Sequence, residues 1–315
     1  MDNPPPVVDT DLRFERGFLH PRYAGAWLVI GLVGAFGLLP RRWSMGLGAG
    51  MGDLFRRSNA KRRRIVDTNL RLCFPELDDA ERERMLVSHF QRYGQSMVDM
   101  GLVWRGSTRR LDKLTDYRGR EAYLELLKER PVVLITPHVT AMDYGGVMLS
   151  RIHPSISMMK PLNNALLNWR IWHGRTRFPP SRVVMRNQGL RPLVRALKQG
   201  KACYFIPDGD FGDVKNSVFA PFFGVPTATL TTVSRLARIS GAAVVPCAAR
   251  LLPESGRYEI TLEPPLPDFP SGDFAVDATA MNRAFEKLVR RAPEQYLWTL
   301  RWFKTRPDGA PSPYD

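Results

Sequence analysis

Five consecutive residues, Val132-Val133-Leu134-Ile135-Thr136, constrain this chain more than any others. Four of the five are β-branched and none is charged. A run that is apolar on both faces of an extended chain reads as an interior strand of a parallel sheet. Pro137 ends it, because proline has no N–H to give to a ladder. Such a strand must be covered on both sides, so the remaining chain should alternate strands with helices. Apolar runs at 202–206, 244–249 and 258–262 read as further strands. Helical spacing covers 65–73, a segment opening at Asp78-Asp79-Ala80-Glu81, 143–150, 191–199, 227–240 and 277–290. The pattern predicts an α/β fold, an αβα sandwich around a mainly parallel sheet.

Open α/β sheets place ligands beyond the carboxyl ends of their strands. His138 stands there, two residues past the first strand, and Asp143 follows at the expected start of a helix. A histidine paired with a carboxylate is the minimal apparatus for drawing a proton off a hydroxyl. The same stretch also fits a capping box, with Thr140 as N-cap and Asp143 at the third helical position. Two more segments should approach His138. One is basic and without clear periodicity, and holds Asn163, Asn164, Trp169, Arg170, His173, Gly174, Arg175 and Arg177. The other is the acidic loop Pro207-Asp208-Gly209-Asp210-Phe211-Gly212-Asp213, after the strand at 202–206. An arginine beside a histidine–carboxylate pair stabilises an oxyanion or clamps a phosphate. The candidate catalytic residues are His138, Asp143, Arg175 and Asp208. Lys160, Arg170, Arg177 and Asp210 are the candidate substrate-binding residues. Two carboxylates alone argue only weakly for a divalent ion, and no metal or other cofactor is expected. Cys73, Cys203 and Cys247 are an odd number with no C-x-x-C, and read as reduced structural thiols.

The chain carries 46 Lys and Arg against 31 Asp and Glu, a formal charge of +15. Such a protein seeks polyanions: nucleic acid, an anionic membrane or a phosphorylated substrate. Residues 23–39 are uncharged, and Pro40-Arg41-Arg42 after them is no small-residue cleavage site. As one helix the segment would reach about 25 Å, the lower limit for a bilayer. It reads as a membrane anchor. Arg41, Arg42, Arg56, Arg57, Lys61, Arg62, Arg63 and Arg64 crowd its carboxyl side, which by the positive-inside rule puts the body of the protein in the cytoplasm. The expected organisation is a disordered tail at 1–19, a membrane anchor at 20–42 and a catalytic domain at 43–315. An anchor disfavours the nucleic-acid reading, which would interleave surface aromatics with cations.

From His20-Pro21-Arg22-Tyr23 to its end the chain resembles the late acyltransferases of lipid A biosynthesis, of the lauroyl/myristoyl type. These belong to the wider lysophospholipid acyltransferase superfamily with its H-x4-D/E motif. The resemblance rests on Asn69-Leu70-Arg71-Leu72-Cys73-Phe74-Pro75-Glu76, on His138 with Asp143, and on Gly174-Arg175. It continues through Pro207-Asp208-Gly209-Asp210-Phe211-Gly212, Ser217-Val218-Phe219, Ala237-Arg238-Ile239-Ser240-Gly241-Ala242, Ala292-Pro293-Glu294-Gln295-Tyr296 and Arg301-Trp302-Phe303-Lys304-Thr305-Arg306-Pro307. It implies a glycerolipid-acyltransferase-type αβα sandwich on an amino-terminal membrane helix, at the cytoplasmic face of a bacterial inner membrane. It implies an acyl-acyl carrier protein donor and a phosphorylated, Kdo-bearing lipid A precursor as acceptor. His138 matches the family base, Asp143 its carboxylate, Arg175 an essential arginine and Asp208 an essential aspartate. Asp143 stands where several lipid A enzymes have Glu, and Gly209 where His is common. The alternative is a glycerolipid acyltransferase with the same pair; its usual E-G-x-x-S/T phosphate motif is not evident.

Overall fold

The computed structural model describes residues 12–315 except 211 and 213. Four helices lead: α1 (Ala24–Phe36), α2 (Arg41–Ser58), α3 (Ala60–Cys73) and α4 (Asp79–Arg105), followed by the short α5 (Thr108–Lys113). Strands and helices then alternate as β1 (Thr115–Arg118), α6 (Arg120–Glu129), β2 (Val132–Ile135), α7 (Met142–Ile152) and β3 (Ser155–Met159). Next come α8 (Ala165–Arg175), β4 (Arg182–Met185), α9 (Arg191–Lys198) and β5 (Ala202–Phe205). An antiparallel ribbon of β6 (Ser217–Phe222) and β7 (Val225–Leu230) precedes α10 (Thr232–Ser240). The paired β8 (Ala243–Leu252) and β9 (Arg257–Leu262) and the helix α11 (Phe274–Val289) complete the set.

Seven strands form one sheet in the order β1-β9-β8-β2-β5-β3-β4, parallel at every pairing except β8 with β9. β2 lies at its centre, with all four residues buried as the uninterrupted apolar run requires. Its side chains alternate between two cores. Val133 and Ile135 join residues of α3, α9, α10 and α11 on one face; Val132 and Leu134 join those of α4, α6 and α7 on the other. Helices therefore cover both faces of the sheet.

The sequence placed a helix over 227–240. Thr227–Leu230 is instead strand, because β-branched Thr227 and Thr229 pair with β6, and the helix begins only at Thr232. The segment at 163–177 is helical from Ala165 to Arg175, opened by the Asn164 side chain accepting from the Leu167 N–H.

The amino-terminal region differs from the expected anchor. α1 spans 13 residues, about 20 Å, against a hydrocarbon core of about 30 Å. Among the described residues no helix is long and apolar enough to cross a membrane. The apolar run breaks where Gly37 backs onto Gly101 of α4, with no space for a side chain, and the chain turns through Pro40 into α2. Of the expected tail, residues 1–11 lie outside the described residues. Arg16–Leu19 form a 3-10 turn, with Phe18 buried against Ile30 and Leu166.

Candidate active site

Parallel pairing brings the first two candidates together. Ile135 of β2 is in register with Phe205 of β5, and the Thr136 N–H extends the ladder to the Phe205 carbonyl at 3.0 Å. His138 and Asp208 each follow those paired ends by three positions, so they meet at the carboxyl edge of the sheet. The Asp208 carboxylate lies 2.5 Å from His138 Nδ1 through Oδ1 and accepts the His138 main-chain N–H at 2.8 Å through Oδ2. Asp208 is 5% exposed and His138 20%. Among the described residues His138 Nε2 has no hydrogen-bond partner. A carboxylate on Nδ1 fixes the tautomer in which Nε2 carries the lone pair.

The sequence paired His138 with Asp143 and made Asp143 a capping residue. In the structure the N-cap of α7 is Ala141 and makes no side-chain cap bond. The Thr140 N–H goes instead to the Gln295 carbonyl at 2.7 Å. The carboxylate on His138 comes from Asp208. Asp143, in the first turn of α7, accepts from Arg175 Nε at 2.5 Å. The physical reason is the turn between strand and helix, which separates residues four or five apart, whereas strand register superposes the ends of β2 and β5. Burial opposes the charge on Arg175, but Asp143 holds the guanidinium above its ordinary pKa. Its two terminal nitrogens have no hydrogen-bond partner among the described residues. Asp143 and Arg175 share a narrow cleft with Met142, Val147, Met158 and Tyr204. Tyr204 donates to the Met142 carbonyl at 2.9 Å, and its phenol is driven well above the usual value by burial and the Cys247 thiol.

Of the four candidate substrate-binding residues, Arg170 and Arg177 lie together at the end of α4, while Asp210 and Lys160 stand on other elements. Arg177 donates to the carbonyls of Leu102, Val103 and Gly106, closing the end of α4. Arg170 lies 4.4 Å over the Trp104 ring, and burial together with Arg105 and Arg177 lowers its pKa to about 10. Asp210 accepts from the Thr305 main-chain N–H at 2.6 Å and its hydroxyl at 2.7 Å. Lys160 is exposed just past the end of β3. Phe211 and Asp213 of the acidic loop lie outside the described residues.

Residue-level chemistry in the sequence missed Tyr296 and Trp302. Tyr296 donates to Asp208 Oδ2 at 2.9 Å, and the Trp302 ring stacks on it at 4.7 Å. Their signal was present in the two carboxyl-terminal segments that carry the resemblance without a stated role. No group of three or more metal-ligating side chains occurs among the described residues. The thiols of Cys73, Cys203 and Cys247 are buried, and desolvation pushes each of them up.

A model of the bacterial lipid A biosynthesis acyltransferases matches residues 12–305. The lipid A biosynthesis lauroyltransferase of Escherichia coli K12 is 36% identical over 304 residues, covering 96% of this chain and 98% of its own. The palmitoleoyltransferase of the same organism is 34% identical over 304 residues, with the same coverage. Its myristoyltransferase is 31% identical over 303 residues, 96% of this chain and 93% of its own.

Proposed function

The chain belongs to the bacterial lipid A biosynthesis acyltransferase family, and we propose that it moves a fatty acyl group from acyl carrier protein to a hydroxyl of a Kdo-bearing lipid A precursor. The observation that carries the mechanism is the imidazole of His138, tied at Nδ1 to Asp208 and open at Nε2. His138 Nε2 takes the proton of the acceptor hydroxyl. The alkoxide attacks the thioester carbonyl of the donor, and the tetrahedral oxyanion forms. Arg175, steadied by Asp143, stabilises that negative charge. The oxyanion collapses, the C–S bond breaks, and the carrier's thiolate takes the proton from His138. Asp208 stays ionised and stabilises the imidazolium.

We place the acceptor at an anionic membrane surface, the cytoplasmic face of the inner membrane. The support is a stripe on α2: Trp43, Leu47, Met51 and Leu54 are 61, 37, 41 and 68% exposed at helical spacing. Leu28, Val29 and Leu32 of α1 are also exposed. Exposed Arg42, Arg57, Lys61, Arg62, Arg63 and Arg64 accompany the stripe. A helix with an apolar face and flanking cations lies in the interface plane and does not span it.

The test incubates the protein with acyl-acyl carrier protein and a tetra-acylated, Kdo-bearing precursor and reads product mass. A gain of one acyl group is expected. His138→Ala should cost ~10²–10⁴ in rate. Full transfer by that variant would overturn the base assignment, and no gain on tetra- or penta-acylated acceptors would overturn the substrate assignment.

A further inference from the structure

The segment from Pro293 to Thr305 crosses directly beneath the His138 loop. The Leu297 N–H donates to the His138 carbonyl at 2.8 Å, the Thr140 N–H to the Gln295 carbonyl at 2.7 Å, and Val139 forms an antiparallel bridge with Tyr296. The segment is itself pinned at several points. The Gln295 amide exchanges two hydrogen bonds of 2.8 Å with the Leu251 main chain, and Asn69 Nδ2 donates to the carbonyls of Trp298 and Leu300 at 2.7 and 2.8 Å. At its far end Asp210 holds Thr305. A strap fastened to β8, to α3 and to the β5 loop can hold a side chain still against the site.

We propose that Tyr296 is a positioning residue for acyl transfer, acting through Asp208 to hold the His138 imidazole in its working orientation. The proposal rests on the reading of His138 as the base. Asp208 Oδ2 accepts from both the Tyr296 hydroxyl and the His138 main-chain N–H, which leaves Oδ1 aimed at Nδ1. Without the phenol Oδ2 keeps only the His138 main-chain N–H, so the carboxylate is held less firmly about its Cβ–Cγ bond and its alignment with the ring weakens. Tyr296 is 1% exposed. Trp302 backs its ring with planes 23° apart and also stands 5.5 Å from the His138 ring, so the phenol has no room to swing. Burial and the adjacent Asp208 carboxylate keep the phenol protonated, so it is always the donor. A neutral donor on the carboxylate serves orientation and adds no charge to the reacting atoms.

The test is a double-mutant cycle on the full chain in detergent, with wild type, Tyr296→Phe, Asp208→Asn and the double variant compared for kcat and KM. Tyr296→Phe should lower kcat about tenfold, the loss of one hydrogen bond to a charged group, with KM for donor and acceptor unchanged. Adding it to Asp208→Asn should cost no further rate, because the residue acts only through that carboxylate. Equal losses in both backgrounds, no loss at all, or a rise in KM with kcat intact would overturn the proposal. A second readout needs no substrate. Diethyl pyrocarbonate acylates an accessible imidazole, and mass spectrometry gives its rate at His138. Tyr296→Phe should change that rate several-fold in the wild-type background and not in Asp208→Asn; an unchanged rate refutes the tether even if no acyl acceptor is ever found. Should the phenylalanine variant not fold, 3-fluorotyrosine at 296 alters the donor strength and leaves the packing; identical kcat and identical His138 reactivity would then refute the tether.

Discussion

At the scale of single residues, two carboxylates at one sheet edge take different partners, and each pairing has a consequence. Asp143 serves Arg175, so the two should behave as a unit. On the proposed oxyanion role, Arg175→Met should lower kcat by ~10², the cost of removing one such donor. Adding Asp143→Asn to that variant should cost little more, whereas independent roles would multiply the losses; steady-state kinetics on the four proteins decides it. A second residue governs stability instead of rate. His89 is fully buried on α4, with Nδ1 3.0 Å from the Glu294 carbonyl and Nε2 without a partner. Burial lowers its pKa to about 4, against about 6.5 in an unfolded chain. The unfolded state therefore binds the proton first. The neutral imidazole is compatible with folding above pH 6.5, and stability falls as pH drops from 6.5 towards 4, by about 3 kcal/mol in full. Urea titrations across that range should show the slope, and His89→Asn, which keeps an N–H donor, should flatten it. A wild-type midpoint constant from pH 7 to 4.5 would contradict this account.

At the scale of elements, α2 and α4 pack by direct backbone contact. A side chain at Gly52 would stand 2.0 Å from the Phe90 carbonyl oxygen, and one at Gly94 2.2 Å from the Gly48 carbonyl oxygen. Neither backbone can give way without moving a whole helix. Gly94→Ala should therefore cost about 1–3 kcal/mol and lower the thermal midpoint, while Gly46→Ala, with open space around it, should not. Equal midpoints for the two variants would remove the close-contact explanation. These elements also mark what was legible beforehand. β2, the capped start of α4 at Asp78 and the ends of α3 and α11 were readable because local pattern and tertiary burial agree there. α8 was unreadable because its polar and aromatic residues carry no apolar stripe; it is held by Trp172, Leu166 and the Arg175–Asp143 pair. Thr227–Leu230 of β7 was taken for helix because only its partner β6 distinguishes the two. His138 stood out from its place after β2. The approach of the Asp208 loop was expected too, but its direct bond to the ring was not, since 70 residues separate the two and the register of β2 with β5 is a property of the folded sheet.

At the scale of the whole molecule, net charge and apolar exposure act together. Arg41 at the start of α2 makes a two-pronged ion pair with buried Asp99 of α4 and donates to the Gly256 carbonyl at 2.6 Å, which fixes α2 to the body with its stripe outward. On the proposed membrane reading, the stripe of Trp43, Leu47, Met51 and Leu54 would supply area-dependent, salt-insensitive binding. The surrounding arginines would supply attraction that decays within a Debye length of about 10 Å at 0.1 M salt. The two contributions are separable by experiment. Vesicles of phosphatidylglycerol should bind the protein far more tightly than phosphatidylcholine at low salt, and the difference should shrink as salt rises. Leu47→Ser with Leu54→Ser should weaken binding to both lipids by a similar factor and leave the salt dependence unchanged. Replacing Lys61, Arg62, Arg63 and Arg64 by Gln should do the reverse, removing the preference for anionic lipid at about 1 kcal/mol per cation. Co-sedimentation reads all three. Binding that ignores both sets of substitutions would show that the surface facing the membrane lies elsewhere on the protein, and acyl transfer to a detergent-dispersed acceptor should then be equally indifferent to them.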